Sequence, residues 1–144
     1  MQSTESISKT SDETYGLGVS LGCSLTGGEV VLLYGGLGAG KTLLAKGILD
    51  ALGFDVDEVT SPSFTLVNLY KTEKFDVYHI DLWRLDGPGK AADAVGLDEI
   101  LENQRAVTII EWADRLRDHA IVNKTIKILI GGDGDDARRI TVTV

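Results

Sequence analysis

Residues 35–42 read "GGLGAGKT" and fit the pattern G-x-x-x-x-G-K-[ST]. Glycines in such a string let the backbone wrap so that successive N–H groups point inward at phosphate oxygens. The amino terminus of a following helix adds the positive end of its dipole. Within that wrap Lys41 bridges terminal phosphates. Thr42 has the hydroxyl that completes a Mg²⁺ shell, because Mg²⁺ takes a few protein oxygens alongside phosphates and waters. Such a loop also requires an acid at the end of a neighbouring strand, to hold the metal or orient water. Two acids close apolar runs: Asp81 ends "VYHID" and Glu111 ends "VTIIE". Their order along the chain leaves open which of them faces Thr42.

Other polar residues have two readings each. "TSPSFT" at 60–65 is either an ordinary strand entry or a mobile switch that senses a terminal phosphate through Ser61, Ser63 and Thr65. Trp112, directly after Glu111, reads first as a core residue. Arg84, after "DLW", is either half of a surface ion pair or a charge facing the phosphates.

The elements that must position these residues follow from periodicity and punctuation. "TSDE" at 10–13 matches a capping box and predicts a helix with Leu17, Leu21 and Leu25 on one face. Gly16, Gly18 and Gly22 weaken that helix unless a neighbouring element packs closely on their face, and "TGGE" at 26–29 ends it. "VVLLY" at 30–34 suits a strand buried on both faces of a largely parallel sheet. Leu44, Ile48 and Leu52, with Ala45 and Leu49 beside them, make an amphipathic helix that Gly53 closes. "SFTLVNLY" at 63–70 and "FDVYHIDLW" at 75–83 read as a hairpin around "KTEK", and "AVTIIEW" at 106–112 as another buried strand followed by a polar helical turn. Residues 87–101 mix breakers with short helical pieces and read as a loop over one edge. "TIKILI" and "ITVTV" alternate with period two across an acidic turn and predict a closing hairpin. The sum is an α/β fold: a P-loop NTPase-like mixed sheet flanked by helices, with a C-terminal β-hairpin.

Composition narrows the function classes. The 144 residues amount to about one domain. Formal charge is −8, with 22 acidic against 14 basic residues, which argues against a broad basic surface for a nucleic-acid backbone. The lone Cys23 has no partner for a disulfide and no His or Cys cluster for zinc, so it reads as a packing residue in a reducing cytosol. No apolar run approaches the roughly 20 residues that cross a bilayer, so no membrane association is expected.

Two rival uses of the loop are a GTPase and a small-molecule kinase. "DGPG" at 86–89 fits D-x-x-G, but "NKTI" at 123–126 lacks the aspartate of the guanine-reading N-K-x-D, which favours adenine. A kinase needs an acceptor pocket and an arginine-bearing lid, for which this chain has little spare length.

Taken in order, "GEVVLLYGGLGAGKTLLAKGILDALG", "VTSPSFTLVNLY", "VYHIDLWRL", "GLDEIL" and "IIEWADRL" closely resemble the bacterial TsaE (YjeE) family, the ATPase of tRNA threonylcarbamoyladenosine biosynthesis. The resemblance runs from about Glu13 to Leu116. It implies a single P-loop ATPase domain over residues 1–144, located in the cytoplasm. It further implies that the domain joins the partner proteins TsaB and TsaD and keeps their complex turning over through ATP and Mg²⁺, touching tRNA only indirectly. Carried over to this chain, it makes Gly36, Gly38, Ala39, Gly40, Lys41 and Thr42 the phosphate and magnesium cradle, with Leu43 beside the α-phosphate. Glu111 becomes the Mg²⁺ partner of Thr42, and Asp81 the residue that positions the attacking water. Ser61, Ser63 and Thr65 become a switch near the terminal phosphate, and Trp112 a nucleotide-site residue. The chain departs from the usual pattern at Gly36, Leu43, Ser63 and Ala113, none of which alters Lys41 or Thr42. Hydrolysis by the protein alone is expected to be slow, with partner binding supplying or aligning an arginine.

Overall fold

The computed structural model describes residues 2–36, 38–87, 89–132 and 134–144. Leu37 of the glycine loop, Pro88 of the D-x-x-G string and Asp133 of the closing turn lie outside the described residues, as does Met1.

The apolar runs stack side by side in a seven-stranded sheet of order β1-β7-β6-β2-β5-β4-β3. Its centre is parallel: β2 (Val30–Gly35) lies between β5 (Ala106–Glu111) and β6 (Thr125–Gly131), and β4 (Asp76–Asp81) follows β5 in the same direction. β3 (Val67–Lys71) and β7 (Arg138–Thr143) join antiparallel through the two predicted hairpins. Because the side chains of a strand alternate between faces, a continuous apolar run needs cover on both. Val31, Leu33, Val107, Ile109 and Ile128 pack beneath α2 (Lys41–Ala51), whereas Val30, Leu32, Ile80 and Ile110 pack on the opposite side.

Helix α1 (Ser11–Ser24) begins as its capping box requires, with Thr10 Oγ1 accepting from the Glu13 N–H at 3.1 Å. The Glu13 carboxylate reaches back one residue further, to the Lys9 N–H. Its glycines have the anticipated neighbour. A Cβ on Gly18 would stand 2.2 Å from the Leu44 carbonyl oxygen, and one on Gly47 of α2 would stand 2.2 Å from that of Tyr15. The two backbones are therefore in direct contact, a separation only glycine permits.

Three expectations need correction, and one element was not anticipated. Residues 63–66 form a turn rather than the start of a strand: the Leu66 N–H bonds to the Pro62 carbonyl at 2.8 Å, and β3 begins at Val67. Residues 91–101 are not part of a loop over an edge, since α3 (Ala91–Val95) and α4 (Leu97–Leu101) bury Ala91, Ala92, Leu97 and Leu101 against the second face of the sheet. Each helix is five residues long and Gly96 separates them at φ 66°, too short a stretch for a periodic signal. Cys23 is exposed, not packed, because its neighbour Gly22 takes the face against α2. Finally, the polar amino terminus supplies an edge strand, β1 (Ser3–Ser8), paired antiparallel to β7 with all but Ser8 exposed.

Candidate active site

The parallel strands β2, β5 and β4 end together, and their ends converge on one cavity. β2 runs into the glycine loop, which turns into α2 through Gly38 and Gly40, both left-handed at φ 75° and 111°. No side chain caps the first turn of α2, so its N–H groups remain available to an anion. Glu111 ends β5 beside Leu33 of β2, and Asp81 ends β4 directly across from Glu111 in the parallel register. That register resolves the ambiguity left by sequence order, for Glu111 is on the strand next to the loop. The Thr42 hydroxyl lies 2.8 and 3.0 Å from its two carboxylate oxygens.

A cavity of about 420 Å³ opens here, lined by Gly38, Ala39, Gly40, Lys41, Thr42 and Leu43 on the loop side and by Ser61, Ser63, Asp81, Trp83, Arg84, Glu111 and Trp112 across from them. Two of the candidates stand outside it. Thr65 turns away because the chain reverses between Pro62 and Leu66, and its hydroxyl bonds to Asn68 at 2.7 Å. The Gly36 carbonyl is instead an acceptor for Lys41, whose ammonium donates to Gly35 and Gly36 at 2.7 Å each. The same ammonium lies 4.2 Å from the centroid of the Trp112 ring. Burial lowers the pKa of Lys41, although Glu111, Asp81 and Asp114 act in the opposite direction.

The two acids sit in different surroundings. Asp81 is 4% exposed and its carboxyl pKa is raised, chiefly by burial; the Trp83 N–H donated to Oδ1 at 2.9 Å opposes the shift. Glu111 is 2% exposed, and its carboxylate is held by Thr42 on one side and by His79 Nε2 at 2.5 Å on the other. A buried carboxylate fixed in this way beside a hydroxyl suits a hard divalent cation, which takes oxygen ligands and leaves the remaining positions to phosphate and water. Trp112, which follows Glu111 and lines the cavity, adopts φ 57°, a left-handed conformation worth about 1–3 kcal/mol of strain in a residue other than glycine. Its ring lies 4.4 Å from that of Trp83.

On the other side of the loop a second hollow of about 340 Å³ shares Gly38, Ala39, Gly40 and Leu43 with the first and continues to Ser8, Thr10, Thr14 and Arg138. Arg138 is the residue by which the closing hairpin holds the loop, donating through Nε to the Ala39 carbonyl at 3.1 Å and through Nη2 to that of Gly38 at 3.3 Å. Neither His79 nor Arg138 stood out in the sequence, since their partners are 32 and 99 residues away. The position of His79 two residues before Asp81, and thus on the same face of β4, was the only available hint.

A family model described as threonylcarbamoyl adenosine biosynthesis protein TsaE matches residues 8–140. The chain belongs to the TsaE family. A TsaE protein of Rickettsia bellii is 31% identical over 143 residues, 99% of this chain and 96% of the relative. One from Bacillus subtilis is 37% identical over 116 residues, covering 81% and 70%. A crystal structure of Bacillus subtilis YdiB superimposes with a TM-score of 0.78 at 29% identity, spanning 99% of this chain and 86% of that one. The loop, the paired strand ends and the cavity thus belong to a TsaE-family fold whose family is defined by tRNA threonylcarbamoyladenosine biosynthesis.

Proposed function

We propose that the protein is a P-loop ATPase that binds and slowly hydrolyses Mg·ATP to support turnover of a TsaB–TsaD complex making tRNA N6-threonylcarbamoyladenosine. The observation that carries this reading is the contact between Thr42 and Glu111 beside Lys41, at the mouth of an uncapped helix. Those groups answer the three needs of a bound triphosphate: donors for its oxygens, a cation for its charge, and an anionic ligand for its metal. Thr42 and Glu111 would hold Mg²⁺, which when bound neutralises charge on the terminal phosphates. Lys41 leaves the Gly35 and Gly36 carbonyls for the phosphates, and the loop N–H groups supply the remaining donors. Asp81, one strand further out, accepts from and orients the attacking water. The second hollow, which shares Gly40 and Leu43 with the first and continues to Thr14 and Arg138, would take the ribose and base.

One observation weighs against guanine as the base. Asn123, which opens the incomplete N-K-x-D string, donates to the Gly28 and Leu101 carbonyls at 3.2 and 3.1 Å. It precedes β6 and so lies at the amino ends of the parallel strands, the far end of the sheet from the loop. ATP hydrolysis by the purified protein, alone and with TsaB and TsaD, with GTP in parallel, tests the whole reading. Slow ATP turnover that the partners stimulate is the expected outcome. Preference for GTP, or indifference to both partners, would contradict it.

A further inference from the structure

Arg84 has no part in the scheme above. It sits on the turn that leaves β4, lines the same cavity as Lys41, Thr42 and Asp81, and has no carboxylate partner among the described residues. Its guanidinium carbon lies 4.3 Å from the centroid of the Phe64 ring. Phe64 is 81% exposed, so it serves no core, and it occupies the turn that also presents Ser61 and Ser63 to the cavity. That turn is held under strain: Leu66 adopts φ 68°, and its carbonyl accepts from the Asp81 N–H at 3.0 Å. The turn bearing Phe64, the backbone of Asp81 and the approach of Arg84 are thereby mechanically linked.

A cation–π contact at an exposed site is weak, whereas a guanidinium bonds to phosphate oxygens through two charge-assisted hydrogen bonds. Lys41 is the only other cation lining the cavity among the described residues, and a phosphoryl group in transfer spreads charge over three oxygens. We propose that Arg84 is the arginine of this site, stored on Phe64 in the free protein and delivered to the terminal phosphate during hydrolysis. The proposal rests on the ATPase reading. In the step it serves, the water oxygen bonds to the terminal phosphorus while the bond from phosphorus to the bridging oxygen breaks, and that electron pair stays on ADP. One proton of the water remains on the released phosphate and the other leaves to solvent by way of Asp81. Arg84 neither gains nor loses a proton; it donates hydrogen bonds to the equatorial oxygens.

The test compares the full-length protein with Arg84→Ala, Arg84→Lys and Phe64→Ala. Single-turnover hydrolysis is measured alongside the binding of Mg·ADP with and without aluminium fluoride, which mimics the phosphoryl group in transfer. Arg84→Ala should change Mg·ADP affinity by less than threefold, slow hydrolysis about 10²- to 10³-fold and abolish the extra affinity gained with aluminium fluoride. Arg84→Lys should recover only part of this, because an ammonium cannot reproduce the two-pronged contact. Phe64→Ala, which frees the arginine, should hydrolyse at least as fast as the unmodified protein. Hydrolysis and aluminium fluoride binding by Arg84→Ala at the unmodified level would overturn the proposal while leaving the ATPase reading intact. So would an equal loss of affinity with and without aluminium fluoride. If the unmodified protein fails to bind Mg·ADP at all, both fall.

Discussion

At the scale of residues, the buried polar groups set what the site can do. His79 is fully buried, bonds to Glu111 through Nε2, and has no partner for Nδ1 among the described residues. Its contribution is to orient the carboxylate that we propose as the Mg²⁺ ligand, and groups in that position are worth about 10- to 100-fold in metal affinity. His79→Ala is therefore expected to raise the Mg²⁺ concentration needed for half-maximal ATP binding by about that factor, with partial recovery in His79→Gln. A loss of melting temperature without movement of the Mg²⁺ midpoint would assign His79 to packing alone. Asp81 makes a different prediction. Burial favours its neutral form, so its folded pKa lies above the unfolded one and the penalty for ionising it is absent at low pH. The penalty sets in as pH rises through the unfolded value toward the folded one. Asp81→Asn should accordingly raise the melting temperature at pH 7 but not near pH 3, and abolish hydrolysis. Denaturation curves at the two pH values check the sign. Lys41, Thr42 and Glu111 were legible in the sequence because a motif and two apolar strand ends flagged them. Arg138 was not, since only the closed fold brings it to the loop.

At the scale of elements, α1 packs directly on α2, the helix that the glycine loop leads into, and glycine makes that contact possible. Gly18→Ala would place a methyl group 2.2 Å from a backbone oxygen. Helix propensity would gain about 1 kcal/mol from that change, whereas overpacking against backbone costs about 1–3 kcal/mol. Net destabilisation is expected, measured by urea unfolding. Gly16 lies in the same helix, and a methyl group added there would meet nothing within 4 Å, so Gly16→Ala should stabilise by about 1 kcal/mol. Opposite signs for two identical substitutions two residues apart would establish that α1 meets α2 through the Gly18 face. This contact was foreseeable, because several glycines within one helix ask for a close neighbour. β1 was not foreseeable: "STESIS" has no alternating apolar face, and its place in the sheet comes from backbone pairing to β7. The paired helices at 91–101 were hidden by their length.

At the scale of the whole molecule, the strand order decides where chemistry can occur. Four neighbouring parallel strands point their carboxyl ends the same way, so a loop after β2 and acids at the ends of β5 and β4 must meet. The sheet was read correctly as mixed, with its closing hairpin, because β2 and β5 are continuously apolar while "TIKILI" and "ITVTV" alternate. A net charge of −8 is compatible with a protein that reaches tRNA through partners rather than by its own surface. No helix among the described residues is long and apolar enough to cross a membrane. The molecule also carries its own reporter. Trp83 and Trp112 are its two tryptophans, both line the cavity, and their rings are 4.4 Å apart. Titration of intrinsic tryptophan fluorescence with Mg·ATP, in the unmodified protein and in Lys41→Ala, is the most direct test that this cavity holds the nucleotide. A saturable change that disappears in Lys41→Ala is the predicted result, whereas an unchanged spectrum, or the same titration curve in both proteins, would contradict it.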